Sequence, residues 1–120
     1  MYEIILYETS SGNRPVEKYI SKLANNNKDD EVLAIKAYFD YLKEFGFAIN
    51  KKFKPNAIKH LRNKIYELRP SATRVFFFHF FKNKIILLHA YEKKTNKTDE
   101  KEIDQAEKEM KDFLRRNKYE

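Results

Sequence analysis

The sequence predicts an α+β domain: a mostly antiparallel sheet packed by an amino-terminal helical hairpin and a carboxy-terminal helix, in the order β-α-α-β-β-β-α. Three observations predict it. An aromatic-rich block over residues 65–91 is cut by turn signals into three strand-length pieces. Apolar residues recur at helical spacing both before and after that block. The only two glycines, with Pro15 and Pro70, fall at or near the expected element ends, and no low-complexity stretch interrupts the chain. At 120 residues the chain reads as a single domain over residues 1–120, long enough to bury roughly two thirds of its unfolded surface.

The elements follow in order. Residues 2–8 carry Tyr2, Ile4, Ile5, Leu6 and Tyr7 and form a strand, ended by the polar run Thr9, Ser10, Ser11, Gly12 and Asn13. Pro15 then sits where a helix tolerates it, and Val16, Tyr19, Ile20 and Leu23 continue at helical spacing. Three asparagines at 25–27 break this helix. A second begins near Asp29, with acids in its first turn, Val32, Ile35, Phe39, Leu42 and Phe45 on one face, and Gly46 just past its end. The three strands span 65–69, 74–81 and 84–91, joined by residues 70–73 and by Lys82 and Asn83. Thr98 is placed to cap a last helix with Asp99 and Glu100 in its first turn. Its inner face is Ile103, Ala106, Met110, Phe113 and Leu114, and Arg115 and Arg116 lie in its last turn.

Charge is sorted along the chain. Residues 51–97 hold 13 Lys or Arg against Glu67 and Glu92, a local charge of +11, whereas the remainder holds 12 basic against 16 acidic residues. Such a concentration is a field aimed at a polyanion such as nucleic acid. The acidic flanks, holding the first two helices and the last, are poor RNA surfaces; a protein partner either takes them or shields the basic face instead. The absence of cysteine excludes disulfides and thiolate metal sites. An acid at Glu3 and the lack of any apolar run near 20 residues argue for a soluble protein of the cytoplasm.

Strand register gathers a candidate site. A tight turn at Lys82 and Asn83 pairs Arg74 with Tyr91 and Phe76 with His89, and the four-residue loop sets Arg69 opposite Arg74 and Glu67 opposite Phe76. Glu67, Arg69, Arg74, His89 and Tyr91 then share one face at one end of the meander, with Lys93 continuing the parity, while Phe78, Phe80, Ile85 and Leu87 are core farther along it. Two facing arginines repel, and a phosphate between them relieves that. A plain surface network bridged by Glu67 is the competing reading. His79 and His89 also read as ordinary half-buried strand histidines, and Lys93 with Lys94 as a solvated strand end. His60, Arg62, Lys64 and Lys97 are further cations that extend the patch if they face it. The phenylalanines read as packing between helices, not as a base-stacking platform.

The succession Ile65, Tyr66, Glu67, Leu68, Arg69, Pro70, then Arg74 to Phe78, then Ile86 to Thr95 with Lys97 and Thr98, resembles the RelE/ParE-type bacterial toxin superfamily, and within it the HigB branch with its phage-derived relatives. The resemblance implies a RelE-like fold. It also implies an endoribonuclease that cuts messenger RNA in the ribosomal decoding site and is silenced by a HigA-like helix-turn-helix antitoxin. Contact with operator DNA runs only through the toxin-antitoxin complex, and no membrane is involved. The chemistry implied is attack of a ribose 2′-hydroxyl on the adjacent phosphodiester, which needs no metal and no cofactor. Arg69 and Arg74 match two family arginines spaced five apart, Arg74 being the one expected to clamp the scissile phosphate, and Lys93 and Lys94 match basic residues after the last strand. Glu67 stands where RelE proper has a lysine, so Glu67, His89 or Tyr91 is expected to take over the proton chemistry, His89 having the ordinary pKa nearest neutrality. Two other functions fit the same residues: a ParE-like gyrase inhibitor and a non-catalytic RNA-binding module.

Overall fold

Ile4, Ile5 and Leu6 start the chain as β1 (Glu3–Leu6) in the computed structural model, which describes residues 1–117. The loop after it is closed by Asn13, whose backbone N–H donates to the Thr9 hydroxyl at 3.0 Å while its carbonyl accepts from the Thr9 N–H at 2.8 Å. Helix α1 (Pro15–Asn25) begins on its proline, and α2 (Asp29–Phe45) follows a turn in which Asn27 takes a φ of 60°. Gly46 then reverses the chain at φ 55° and ψ −131°, a conformation open to glycine alone, and an added Cβ would lie 2.1 Å from Cε1 of Tyr2. A 3-10 turn (Gly46–Ala48) and a one-turn helix α3 (Ile49–Lys52) lead into the sheet.

The sheet has five strands where the sequence predicts four. The additional one is β2 (Ile58–Arg62), followed by β3 (Ile65–Leu68), β4 (Thr73–Phe81) and β5 (Lys84–Glu92), with α4 (Glu100–Arg116) last. The strand order is β1-β5-β4-β3-β2, parallel only between β1 and β5. β2 is an edge strand rich in cations, a composition that blunts edge-to-edge pairing and hides the alternation that marks a strand. Its outer start is held by a side chain: Asn50 Nδ2 donates to the Ile58 carbonyl at 3.0 Å and Asn50 Oδ1 accepts from the Ile58 N–H at 2.8 Å.

Both faces of the sheet are buried. Against α1, α2 and α3 lie Leu68, Val75, Phe77, Ile85, Leu87 and Ala90, with Val16, Tyr38, Leu42 and Ile49. Against α4 lie Ile65, Phe76, Phe78, Ile86 and Leu88, with Ile103, Ala106, Met110 and Phe113. Phe76, Phe77 and Phe78 are all at most 1% exposed, so they are core. Double coverage of this kind explains the near-continuous apolar run in β4 and β5.

The register near the loop end is the expected one, with Arg74 opposite Tyr91 and Phe76 opposite His89. It slips beyond that point, since Phe77 faces Leu87 and Phe78 faces Ile86, leaving Leu88 as the extra residue of a β-bulge. Ile85 and Leu87 therefore do not share the face of Phe78 as the unbroken register requires; Ile86 and Leu88 do. Four consecutive apolar residues at 85–88 fill either face equally well, so the slip costs no burial. A second correction concerns α4: its N-cap is Asp99, which accepts the Lys101 N–H at 2.9 Å, while the Thr98 hydroxyl donates to Glu67 at 3.2 Å.

Candidate nucleic-acid interface

The end of the sheet where β3 leaves, β4 enters and β5 finishes brings Glu67, Arg69, Arg74 and Tyr91 together. Glu67 is only 1% exposed, accepts from Thr98, and lies 3.6 Å from Arg69 Nε through its other oxygen. A buried carboxylate requires compensation of this sort. Arg69 keeps a quarter of its side chain exposed, and its Nε makes no hydrogen bond among the described residues. Arg74 is 7% exposed, and its Nη1 donates to the carbonyls of Ser71 at 2.9 Å and Thr73 at 2.8 Å. Burial, and then the charge of Arg69, lower the Arg74 pKa, which places the two guanidinium groups within each other's field. With Glu67 opposite Phe76 and Arg74 opposite Tyr91, the register puts both arginines on one face, and they differ in what holds them.

Tyr91 and His89 border this cluster. Burial, then the charge of Glu67, push the Tyr91 phenol up to about 12, so it is a donor and not a base. His89 is packed under α4, with Nε2 2.7 Å from Glu102 and Nδ1 3.6 Å from the buried Glu109. Burial opposes the charged ring, but the hydrogen bonds and charges of Glu109 and Glu102 outweigh it and raise its pKa. A cationic imidazole has both nitrogens protonated, so it can donate but cannot accept.

A groove of about 640 Å³ lies beside the cluster and shares Tyr91 and His89 with it. β1 ends opposite Leu87, so the rest of β5 has no strand neighbour on that edge, and this uncovered edge leads into the groove. Its cations are Lys93, Lys94 and Lys97 from the segment after β5, with Lys22 and Lys28 from the helical hairpin. Neither Arg69 nor Arg74 lines it.

Three of the expected contacts fall elsewhere. His60 pairs with Tyr66 on the face covered by α1 and α2, its ring 4.9 Å from that tyrosine and its Nε2 2.7 Å from the Asn63 carbonyl. Arg62 faces α4, where Glu100 at 3.0 Å, Asp104 and Glu107 bind its guanidinium, so its charge is already neutralised. Lys64 occupies the β2–β3 turn, at the opposite end of β3 from Arg69. In turn, Lys22 and Lys28 escaped the sequence reading because the acidic balance of the flanks masks them. The spacing of Lys22 three residues after Tyr19 is the only local signal.

Fold and site together define an α+β protein with a mostly antiparallel five-stranded sheet, compatible with the RelE-like fold, that carries a cationic groove at one sheet edge. The profile of the family described as phage-derived protein Gp49-like (DUF891) matches residues 18–111, and the chain belongs to that family. The family is associated with RelE/toxin-like proteins, which is compatible with a toxin-like role. No curated protein matches the chain at a significant level. Among the described residues no helix is long and apolar enough to cross a membrane.

Proposed function

We propose that the chain is the toxin of a toxin-antitoxin pair, a HigB-like endoribonuclease that cleaves messenger RNA on the ribosome in the cytoplasm. The observation that supports this reading is the lysine groove that borders the Arg69 and Arg74 cluster and shares Tyr91 with it, a path for an RNA backbone beside groups suited to a phosphorane. The ribose 2′-oxygen attacks phosphorus, the bond from phosphorus to the 5′-oxygen breaks, and the products are a 2′,3′-cyclic phosphate and a 5′-hydroxyl.

Arg69, with free donors and partial exposure, is assigned the scissile phosphate. Arg74, bonded to the loop carbonyls, holds residues 70–73 in place and adds its charge from behind. Lys93, Lys94 and Lys97 follow the strand's other phosphates. Tyr91, whose phenol is pushed up to about 12, keeps its proton and is placed to donate to the departing 5′-oxygen, while the His89 ring is held by Glu102 and Glu109. Glu67 anchors Arg69 and Thr98 and is too buried to take the 2′-hydroxyl proton, which leaves to solvent or to a ribosomal group. The partner that silences the chain is a helix-turn-helix antitoxin.

The test is a reconstituted translation reaction with a defined messenger RNA and mapping of the new ends. Cuts within translated codons that end in 2′,3′-cyclic phosphate are expected; an intact message refutes the reading.

A further inference from the structure

We propose that the amino-terminal helical hairpin is part of the RNA-binding surface, with Lys22 and Lys28 forming the second wall of the groove and gripping the phosphates opposite Lys93, Lys94 and Lys97. This rests on the reading of the groove as an RNA site and extends it to elements that read from the sequence as poor RNA surfaces. Five lysines from the hairpin and from the segment after β5 line the groove, and among the described residues none of their ammonium groups is in an ion pair. The lysine and arginines that do have carboxylate partners, Arg14, Arg62, Arg69, Lys84, Arg115 and Arg116, all lie outside the groove. Two of the three carboxylates in the groove are already engaged, Glu102 by His89 and Asp99 as the cap of α4, which leaves Glu92. A concave surface with that surplus of unpaired charge is suited to a polyanion.

The hairpin is also held rigidly against the end of the sheet. The Tyr19 hydroxyl is 2.9 Å from the Thr73 hydroxyl, and Thr73 donates to Glu31 at 2.7 Å, so α1 and α2 are both tied to the first residue of β4. Lys22 stands one turn beyond Tyr19 and Lys28 one turn before Glu31, which fixes the roots of both lysines relative to Lys93 and Lys94. Tyr19 and Tyr91 line the groove between the two walls and offer rings on which bases stack.

The experiment measures binding of a short fluorescein-labelled single-stranded RNA by anisotropy across a salt series. It compares the wild-type chain, Lys22→Gln/Lys28→Gln, Lys93→Gln/Lys94→Gln, and Lys18→Gln/Lys36→Gln as a charge-matched control outside the groove. All these lysines are surface positions, and circular dichroism checks that each variant folds. Loss of two phosphate contacts makes the salt slope shallower by about 1.4 and weakens binding roughly 25-fold at about 0.1 M salt, with the control unchanged. If Lys22→Gln/Lys28→Gln binds like wild type while Lys93→Gln/Lys94→Gln is weakened, the hairpin wall is refuted and the RNA reading stands. If the wild-type chain shows no salt-dependent binding, both fall.

Discussion

Arg69 and Arg74 carry the same side chain five residues apart, yet their surroundings give them different work. Arg74 has two carbonyl partners and little exposure, whereas Arg69 has one buried carboxylate beside it and donors to spare. Arg69→Ala is expected to lower cleavage about 10²- to 10³-fold, the scale for loss of one charge-stabilising donor, and to lower the thermal midpoint as well, because the buried Glu67 loses its cation. Arg69→Lys keeps the charge without the two-pronged geometry and recovers only part of that rate. Arg74→Ala should lower activity and stability together, because it frees the 70–73 loop. His89 makes a different prediction. Its folded pKa lies above the ordinary value of 6.5, so its contribution to stability is complete below that pH and is lost as pH rises through the folded value. Thermal melts between about pH 6 and pH 9 should fall toward the alkaline end, and His89→Gln should remove that dependence. Equal slopes for both proteins would show that the Glu102 and Glu109 contacts do not bind a charged ring.

At the scale of elements, α1, α2, α4 and the three meander strands were legible because their apolar spacing, acids and turn residues all point the same way. Gly46 is the clearest case, a glycine just past the apolar face of α2 that proves to need both its positive φ and its missing Cβ. Gly46→Ala is expected to destabilise the protein by about 2 kcal/mol or more, from backbone strain added to the collision with Tyr2; a melt within error of wild type would contradict that packing. β2 was not legible, since a cationic edge strand lacks alternation and its outer hydrogen bonds come from Asn50. The bulge at Leu88 was hidden by the uniform run at 85–88. Arg62 was misplaced for another reason: the carboxylates that bind it lie 38, 42 and 45 residues away, and no local pattern reports a helix that far off.

Over the whole molecule the sorting of charge along the sequence does not map simply onto the surface. The basic central third supplies the floor and one wall of the groove, but it also loses Arg62 to α4. The acidic flanks supply the carboxylates that neutralise Arg62 and His89, together with the two lysines of the opposite wall. Arginine convergence at the loop end was readable from register alone, because turn length fixes pairing; the groove was not, because it depends on where β1 stops and how α1 crosses β5. With ribosomes as the partner, Lys93→Gln/Lys94→Gln should weaken association and flatten its salt dependence without altering the fold. An unchanged slope in sedimentation across salt would move the ribosome contact elsewhere. The most direct measurement is end mapping of a translated message incubated with the wild-type chain and with Arg69→Ala. Codon-phased cuts bearing 2′,3′-cyclic phosphate, present with the wild type and lost in the variant, are the expected result. An uncut message, or growth arrest traced to blocked gyrase supercoiling while the message stays whole, would contradict it.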